Sequence, residues 1–188
     1  MERNDNILRV FTMDTRLGPL TVWESDKGLR RLDYASASVE RVERYYGSGV
    51  VWTDRMESVR QVDAYLNGRL FEFDVPLDFE DTGTEFQRGA WRALLTIPYG
   101  ETITYAELAG RMGSPKAIRA AGQANHRNPI AIVVPCHRVI RSDGDLGGYN
   151  GGLERKRVLI SLERSRAGAY HSYKMSTALT AGGRETTA

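Results

Sequence analysis

The chain has 188 residues, 41% of them hydrophobic and 27% charged, with a formal net charge of +2 and one cysteine. That balance suits one globular domain or two small ones and excludes a disordered or fibrous chain, while a single thiol excludes a disulfide framework and any multi-cysteine metal site, so neither metal nor cofactor is expected. No apolar run reaches the roughly 20 residues of a membrane span, and the start, MERNDNILRV, lacks a signal peptide's apolar core, so a cytoplasmic protein with no membrane partner is expected.

The first 84 residues read as strands and turns around one helix. Ile7 to Met13 is rich in β-formers, Leu20 to Trp23 follow the turn signal Gly18-Pro19, and Leu29 to Tyr34 follow Lys27-Gly28. Val59, Val62 and Leu66 lie three and four apart, which predicts an amphipathic helix over 56–66, stopped by Asn67-Gly68. Phe71, Phe73 and Val75 alternate with charged residues as in a half-exposed strand. No ligand-like cluster shows, and this half reads as scaffold.

At Thr84 the pattern becomes helical. Thr84 and Gln87 form a capping box ahead of the stripe Phe86, Ala90, Trp91, Leu94, Leu95, closed by Pro98-Tyr99-Gly100. A second helix runs over 105–112 behind Thr104, and after Gly113-Ser114-Pro115 a third covers 116–125, the outline of a helix-turn-helix. Ile130 to Val134 is a continuous β-branched run that predicts a buried strand. A glycine-rich loop from Gly144 to Gly152 leads to a last helix over 153–164. From Ala167 the composition reads as a flexible tail.

Charge divides along the chain. Residues 1–84 hold 11 Lys/Arg against 16 Asp/Glu, a net of −5, whereas residues 85–166 hold 13 against 7, a net of +6. The later region therefore suits a polyanion.

Cys136 sits where the buried run meets His137 and Arg138. A free thiol with a pKa of about 8.5 is mostly protonated at neutral pH, and proton acceptance by His137 or the charge of Arg138 are two ways to favour the anion. Adjacent strand residues face opposite ways. Cooperation between Cys136 and His137 thus needs a turn or a bridging water.

Pro135-Cys136-His137-Arg138-Val139 resembles the signature of the O6-alkylguanine-DNA alkyltransferases, also called methylated-DNA–protein-cysteine methyltransferases. The resemblance extends through Thr84-Glu85-Phe86-Gln87, Ile97-Pro98-Tyr99-Gly100, Thr104-Tyr105, the helix from Ala117 to Gly122, Asn128-Pro129 and Gly148-Tyr149-Asn150-Gly151-Gly152. It covers about residues 84–165, and only loosely the first 80.

That resemblance implies a fold of two pieces. An N-terminal α/β domain (1–80) with a three-stranded antiparallel sheet precedes a mainly helical, DNA-binding and alkyl-accepting domain (84–165) containing the helix-turn-helix, and then the tail (167–188). It also implies direct-reversal repair in a single turnover, in which the thiol of Cys136 irreversibly takes the alkyl group from O6-alkylguanine; action on O4-alkylthymine stays open. His137 is similar to the family's proton relay, Glu163 to the carboxylate that keeps the imidazole basic, and Asn128 to the hinge between DNA helix and active-site turn. Read from the residues alone, Glu163 is one more solvated helical acid. The expected partner is double-stranded DNA, bound from the minor groove with little sequence preference and with the nucleotide flipped out. Arg119 resembles the arginine that fills the vacated stack and Tyr105 the tyrosine at the target phosphate, with Ala117, Ala120, Ala121 and Gly122 allowing close approach. Val139, Tyr149, Asn150 and Gly151 would line the pocket. The protein is expected to be monomeric, with cooperative binding along DNA left open. Arg127 and Arg141 are candidate phosphate contacts.

Two features depart from some relatives: Ala131 stands where they carry a second proline, and one cysteine rules out their zinc site. A lesion-binding protein without chemistry, a cysteine hydrolase and a helix-turn-helix regulator are the alternatives. The intact set Cys136, His137, Asn128 and Glu163 argues against the first, and no dimerisation segment supports the last.

Overall fold

The computed structural model describes residues 7–35, 42 and 49–182. Its first half is built on a four-stranded sheet ordered β3-β2-β1-β4. Strands β1 (Leu8–Thr15) and β2 (Gly18–Ser25) form a hairpin in which Thr15 pairs with Gly18. Gly18, directly after the turn residues Arg16 and Leu17, adopts φ 84°, a conformation that costs a residue without Cβ little. Strand β3 (Gly28–Asp33) pairs antiparallel with β2, and β4 (Val50–Trp52) pairs parallel with β1. The antiparallel strands are those expected. A three-residue strand is too short for alternation to register in sequence, and β4 was therefore not foreseen.

Strand β2 is buried on both faces. Leu20 and Val22 enter the main core with Val59, Val62, Tyr65 and Leu66 of α1 (Glu57–Leu66), whereas Trp23 joins Leu8, Val10 and Val42 in a smaller cluster.

Two expected strands do not form. Residues 71–75 run irregularly because their rings are drawn into an aromatic cluster: Phe71 meets Tyr99, Tyr170 and Tyr173, and Phe73 lies 5.0 Å from Tyr65, centroid to centroid. Residues 130–134 are buried as expected, but only Ile130 makes a bridge, to Leu32 of β3. The chain then turns, with Ile132 at φ 74°. Continuous hydrophobicity identifies burial and not backbone shape. Here the side chain of Asn128 bonds main-chain groups that a neighbouring strand would otherwise satisfy.

In the second half, α2 (Glu85–Leu94) begins with the expected Thr84–Gln87 capping box, and Thr104 and Glu107 make another at α3 (Tyr105–Arg111). Helix α4 (Ile118–His126) packs against α2 and α3 and completes the helix-turn-helix. Two short strands, β5 (Ile103–Thr104) and β6 (Val139–Ile140), pair in parallel beneath it.

The last helix, α5 (Leu153–Gly182), corrects the expected end at Arg164 and the flexible tail from 167. Tyr170 donates to Glu72 at 3.0 Å, Lys174 pairs with the same carboxylate, and Arg166 donates to the Gly68 carbonyl at 2.9 Å. Those contacts with the 67–73 segment, together with alanine's helix preference, carry the helix past the point where its apolar stripe fades. Residues 183–188 of the expected tail lie outside the described residues. One core runs through both halves, from Leu20 to Cys136 and Leu159. No helix among the described residues is long and apolar enough to cross a membrane.

Candidate active site

The buried run ends in a 3₁₀ turn, Cys136–Arg138, followed at once by β6. This tight turn replaces the alternation of a strand, so consecutive side chains can serve one site. Cys136 is 4% exposed and His137 fully buried.

Asn128 organises the thiol. Its Nδ2 donates to Cys136 Sγ at 3.0 Å and to the Val134 carbonyl at 2.7 Å, while its Oδ1 accepts from the Ile130 N–H at 3.0 Å. Asn125, in the last turn of α4, donates to the Cys136 carbonyl at 3.4 Å. Two asparagines therefore tie α4 to the thiol turn, and only Asn128 was foreseen. Burial pushes the Cys136 thiol up to about 11, against the opposing effects of Asn128, the Lys156 charge and the N–H groups of Cys136 and His137. At neutral pH the group is a thiol.

Arg138 does not serve the sulfur. Its guanidinium grips Glu163, with Nε 3.0 Å from Oε2 and Nη2 2.9 Å from Oε1, and its Nη1 donates to the Ile97 carbonyl at 2.6 Å. Lys156 is the cation that favours the thiolate. It is fully buried, its Nζ donates to the carbonyls of Val139 (2.6 Å) and Leu146, and burial lowers its pKa to about 8. A lysine seven residues before Glu163, on the buried stripe with Leu159, was the sequence signal for it.

Glu163 is not a solvated acid. Besides Arg138, it accepts from the Gly100 N–H at 3.0 Å, from the Tyr65 hydroxyl, and from His137 Nε2 at 2.8 Å. Burial acts to raise its pKa, but His137 and Arg138 outweigh that and hold the carboxyl well below the usual carboxylate range. An ionised carboxylate only accepts, so Nε2 carries the imidazole proton and Nδ1 is left as the base. Nδ1 is buried with no hydrogen-bond partner among the described residues. Burial lowers the His137 pKa below its ordinary value against the pull of Glu163, so the ring is neutral and able to accept a proton. Burial and the Glu163 charge keep Tyr65 protonated. Tyr65 belongs to the half that reads as scaffold; its place on the buried face of α1 gave a packing signal and no chemical one.

Around the thiol, Val139, Tyr149 and Gly151 are buried and Asn150 is exposed. Tyr105 is half-buried, lies over Gly122, and its hydroxyl is near Gly147. Burial raises its pKa, with a further contribution from a charge on Cys136. Arg119 and Ala120 are exposed on α4, Ala117 and Gly122 are half-buried, and Arg127 and Arg141 are exposed. Ala121 is corrected: it is wholly buried with Ala124 on the packing face of α4, out of reach of a DNA surface. At about 100° per residue, Arg119 falls nearly opposite Ala121 and Ala120 on the flank, and both are exposed.

A half with a sheet and a helix, joined to a helix-turn-helix that is followed by a buried cysteine in a tight turn, defines the architecture shared with known relatives. Residues 8–79 match the family model described as the 6-O-methylguanine DNA methyltransferase ribonuclease-like domain, and residues 85–165 match the DNA binding domain of the same name. A methylated-DNA–protein-cysteine methyltransferase of Mycobacterium tuberculosis is 48% identical over 162 residues, covering 84% of this chain and 93% of the relative. One of Methanosarcina barkeri is 45% identical over 157 residues, covering 81% and 95%. The crystal structure of the M. tuberculosis OGT in complex with DNA superposes with a TM-score of 0.73 at 46% identity, covering 84% of this chain and 94% of that one. The chain belongs to the 6-O-methylguanine DNA methyltransferase family.

The Glu163 network generates a stability prediction. Glu163→Gln keeps the shape but leaves Arg138 buried without its counter-charge, a loss on the order of 3 kcal/mol. The exposed Glu154→Gln on the same helix should stay within about 0.5 kcal/mol of the parent. Urea denaturation of both checks this, and equal stability of the two variants would contradict the network.

Proposed function

We propose that this chain performs direct-reversal DNA repair, with Cys136 taking the alkyl group from O6-alkylguanine in duplex DNA. The observation that carries the assignment of residues is the linked set His137, Glu163 and Arg138 next in the chain to the Cys136 thiol: a buried imidazole with one nitrogen fixed by an ionised carboxylate and the other left unpartnered among the described residues. It is the arrangement of nucleophile, base and orienter. The thiol proton passes to His137 Nδ1 through a bridging water. The sulfur attacks the alkyl carbon, the carbon–O6 bond breaks, and its electron pair leaves with the guanine, which is then protonated. The product is a thioether. Water has no ready route to cleave it, and the protein is consumed.

A thiol 4% exposed cannot reach a base inside a duplex, so the nucleotide is extruded, at a few kcal/mol that a damaged pair lessens. Arg119 is exposed on α4 with no ion pair or hydrogen bond among the described residues, free to enter the stack. Ala117, Ala120 and Gly122 present little bulk beside it, which suits α4 to the minor groove. Tyr105, between Gly122 of α4 and the loop at Gly147, is in this reading the residue that meets the target phosphate. Exposed Arg127 and Arg141 add affinity for phosphates and no base readout. Val139, Tyr149, Asn150 and Gly151 frame the pocket. The protein acts as a monomer in this reading.

Three outcomes check it. Incubation with a duplex bearing one O6-methylguanine should add one methyl group per protein, mapped to Cys136 by mass spectrometry and absent in Cys136→Ser; binding without mass gain would mean a lesion sensor. Arg119→Ala should slow transfer from duplex DNA on the order of tenfold or more, since it removes support for an extruded base, while reaction with free O6-benzylguanine changes little. Equal losses would remove Arg119 from extrusion. The transfer rate should fall on the acid side only below pH 6.5, the ordinary imidazole value, because protonated His137 cannot accept and burial has moved its titration downward. An acid limb centred above that value would contradict a buried neutral base.

A further inference from the structure

The first half also reaches the pocket. Tyr34 follows the last residue of β3, and its hydroxyl lies 2.5 Å from that of Tyr149, with the rings edge-on and their centroids 5.9 Å apart. Both rings rest on Gly151, where a Cβ would stand 2.4 Å from Tyr34 Cε2 and 2.8 Å from Tyr149 Cε1. The guanidinium of Arg155 sits 5.0 Å from the centre of the Tyr34 ring, while its Nη1 donates to the Gly151 carbonyl at 2.8 Å and its Nε to the Leu17 carbonyl at 2.6 Å. Tyr34 is thus held by a cation from one side and by the loop from another. Tyr149 and Cys136 belong to one buried cluster against which Tyr34 packs, and burial raises the pKa of both phenols.

Tyr149 stands in a loop with glycines at φ 65° (Gly147) and 88° (Gly152), whose main chain is tied to α5 by Arg155 and Lys156 but whose Tyr149 side chain those bonds do not hold. The partner of its hydroxyl among the described residues is Tyr34. We infer that Tyr34 determines adduct specificity: by holding the Tyr149 hydroxyl it fixes the pocket wall beside Cys136 and so limits the size of the O6-alkyl group that the thiol accepts. The inference rests on the proposed alkyl-transfer reading.

Tyr34→Phe keeps the ring, its contact with Gly151 and its stacking with Arg155, and removes one hydroxyl. The buried Tyr149 hydroxyl then lacks a partner, and the ring swings toward water to recover one. The wall opens. Removing both hydroxyls leaves two apolar rings with no polar group to satisfy, and the wall closes again, since deleting both partners of a buried hydrogen bond is nearly neutral.

The test compares single-turnover transfer to Cys136 from two otherwise identical duplexes, one bearing O6-methylguanine and the other O6-benzylguanine. Tyr34→Phe should raise the benzyl-to-methyl rate ratio roughly three- to tenfold, the range that one hydrogen bond supplies, with methyl transfer itself slowed. Tyr149→Phe combined with Tyr34→Phe should bring the ratio back toward that of the parent. A ratio unchanged in Tyr34→Phe, or an equal loss on both duplexes, would reduce Tyr34 to a packing residue and overturn the inference. Failure of the unmodified protein to label Cys136 from either duplex would instead overturn the alkyl-transfer reading, and that is seen before any variant is compared.

Discussion

The site depends on one buried carboxylate. Glu163 is 1% exposed, where an unpaired charge would be several kcal/mol unfavourable, so it must be surrounded by donors. They come from three separate stretches of chain: Tyr65 in α1, Gly100 after α2, and His137 and Arg138 in the 3₁₀ turn, all meeting α5. Each donor brings its own segment into place, and Arg138 extends the tie to the Ile97 carbonyl. Because a carboxylate cannot donate, its presence also decides which imidazole nitrogen bears the proton. One charge therefore fixes both an assembly and a tautomer.

The thiol is prepared differently. Burial raises its pKa to about 11, and the groups that work against burial are fixed dipoles and the distant charge of Lys156. Such a site holds a neutral nucleophile until a base can take its proton, which protects the only cysteine from reacting indiscriminately. Lys156 is spent mainly on carbonyls of the loop around Leu146 and Gly148. It thereby holds the segment that carries Tyr149 and acts on the sulfur through space.

Much of the helical half was legible because its signals are local. The capping boxes at Thr84 and Thr104 satisfy N–H groups three residues away, and residues that close show in sequence. What was not legible depends on distant partners. Glu163 and Lys156 look like any charged residues of an amphipathic helix until α5 is placed against the turn. The run from Ile130 to Val134 predicts burial correctly and backbone shape wrongly, since its main-chain hydrogen bonds are made within the turn itself and to the side chain of Asn128. Helix α5 outlasts its expected end because Tyr170 and Lys174 find Glu72, about a hundred residues earlier, which no local pattern encodes. The family resemblance supplied Glu163 and Asn128 where periodicity had none to offer. It led astray at Ala121, which its own helix turns inward.

The first half can now be assigned a physical role that its sequence did not reveal. Strand β3 bridges Ile130 through Leu32, α1 places Tyr65 on Glu163, Leu17 accepts from Arg155, and Gly68 accepts from Arg166. These contacts fall along the segment before the active-site turn and along α5, so the first half grips the stretches that hold the site. A buried thiol at the end of a tight turn has no sheet of its own to hold it beyond the two residues of β6. Rigidity must then come from outside the turn, and the first half provides it by covering the floor of the site. The first half therefore holds the thiol turn, while α4 keeps Arg119 and Ala120 exposed.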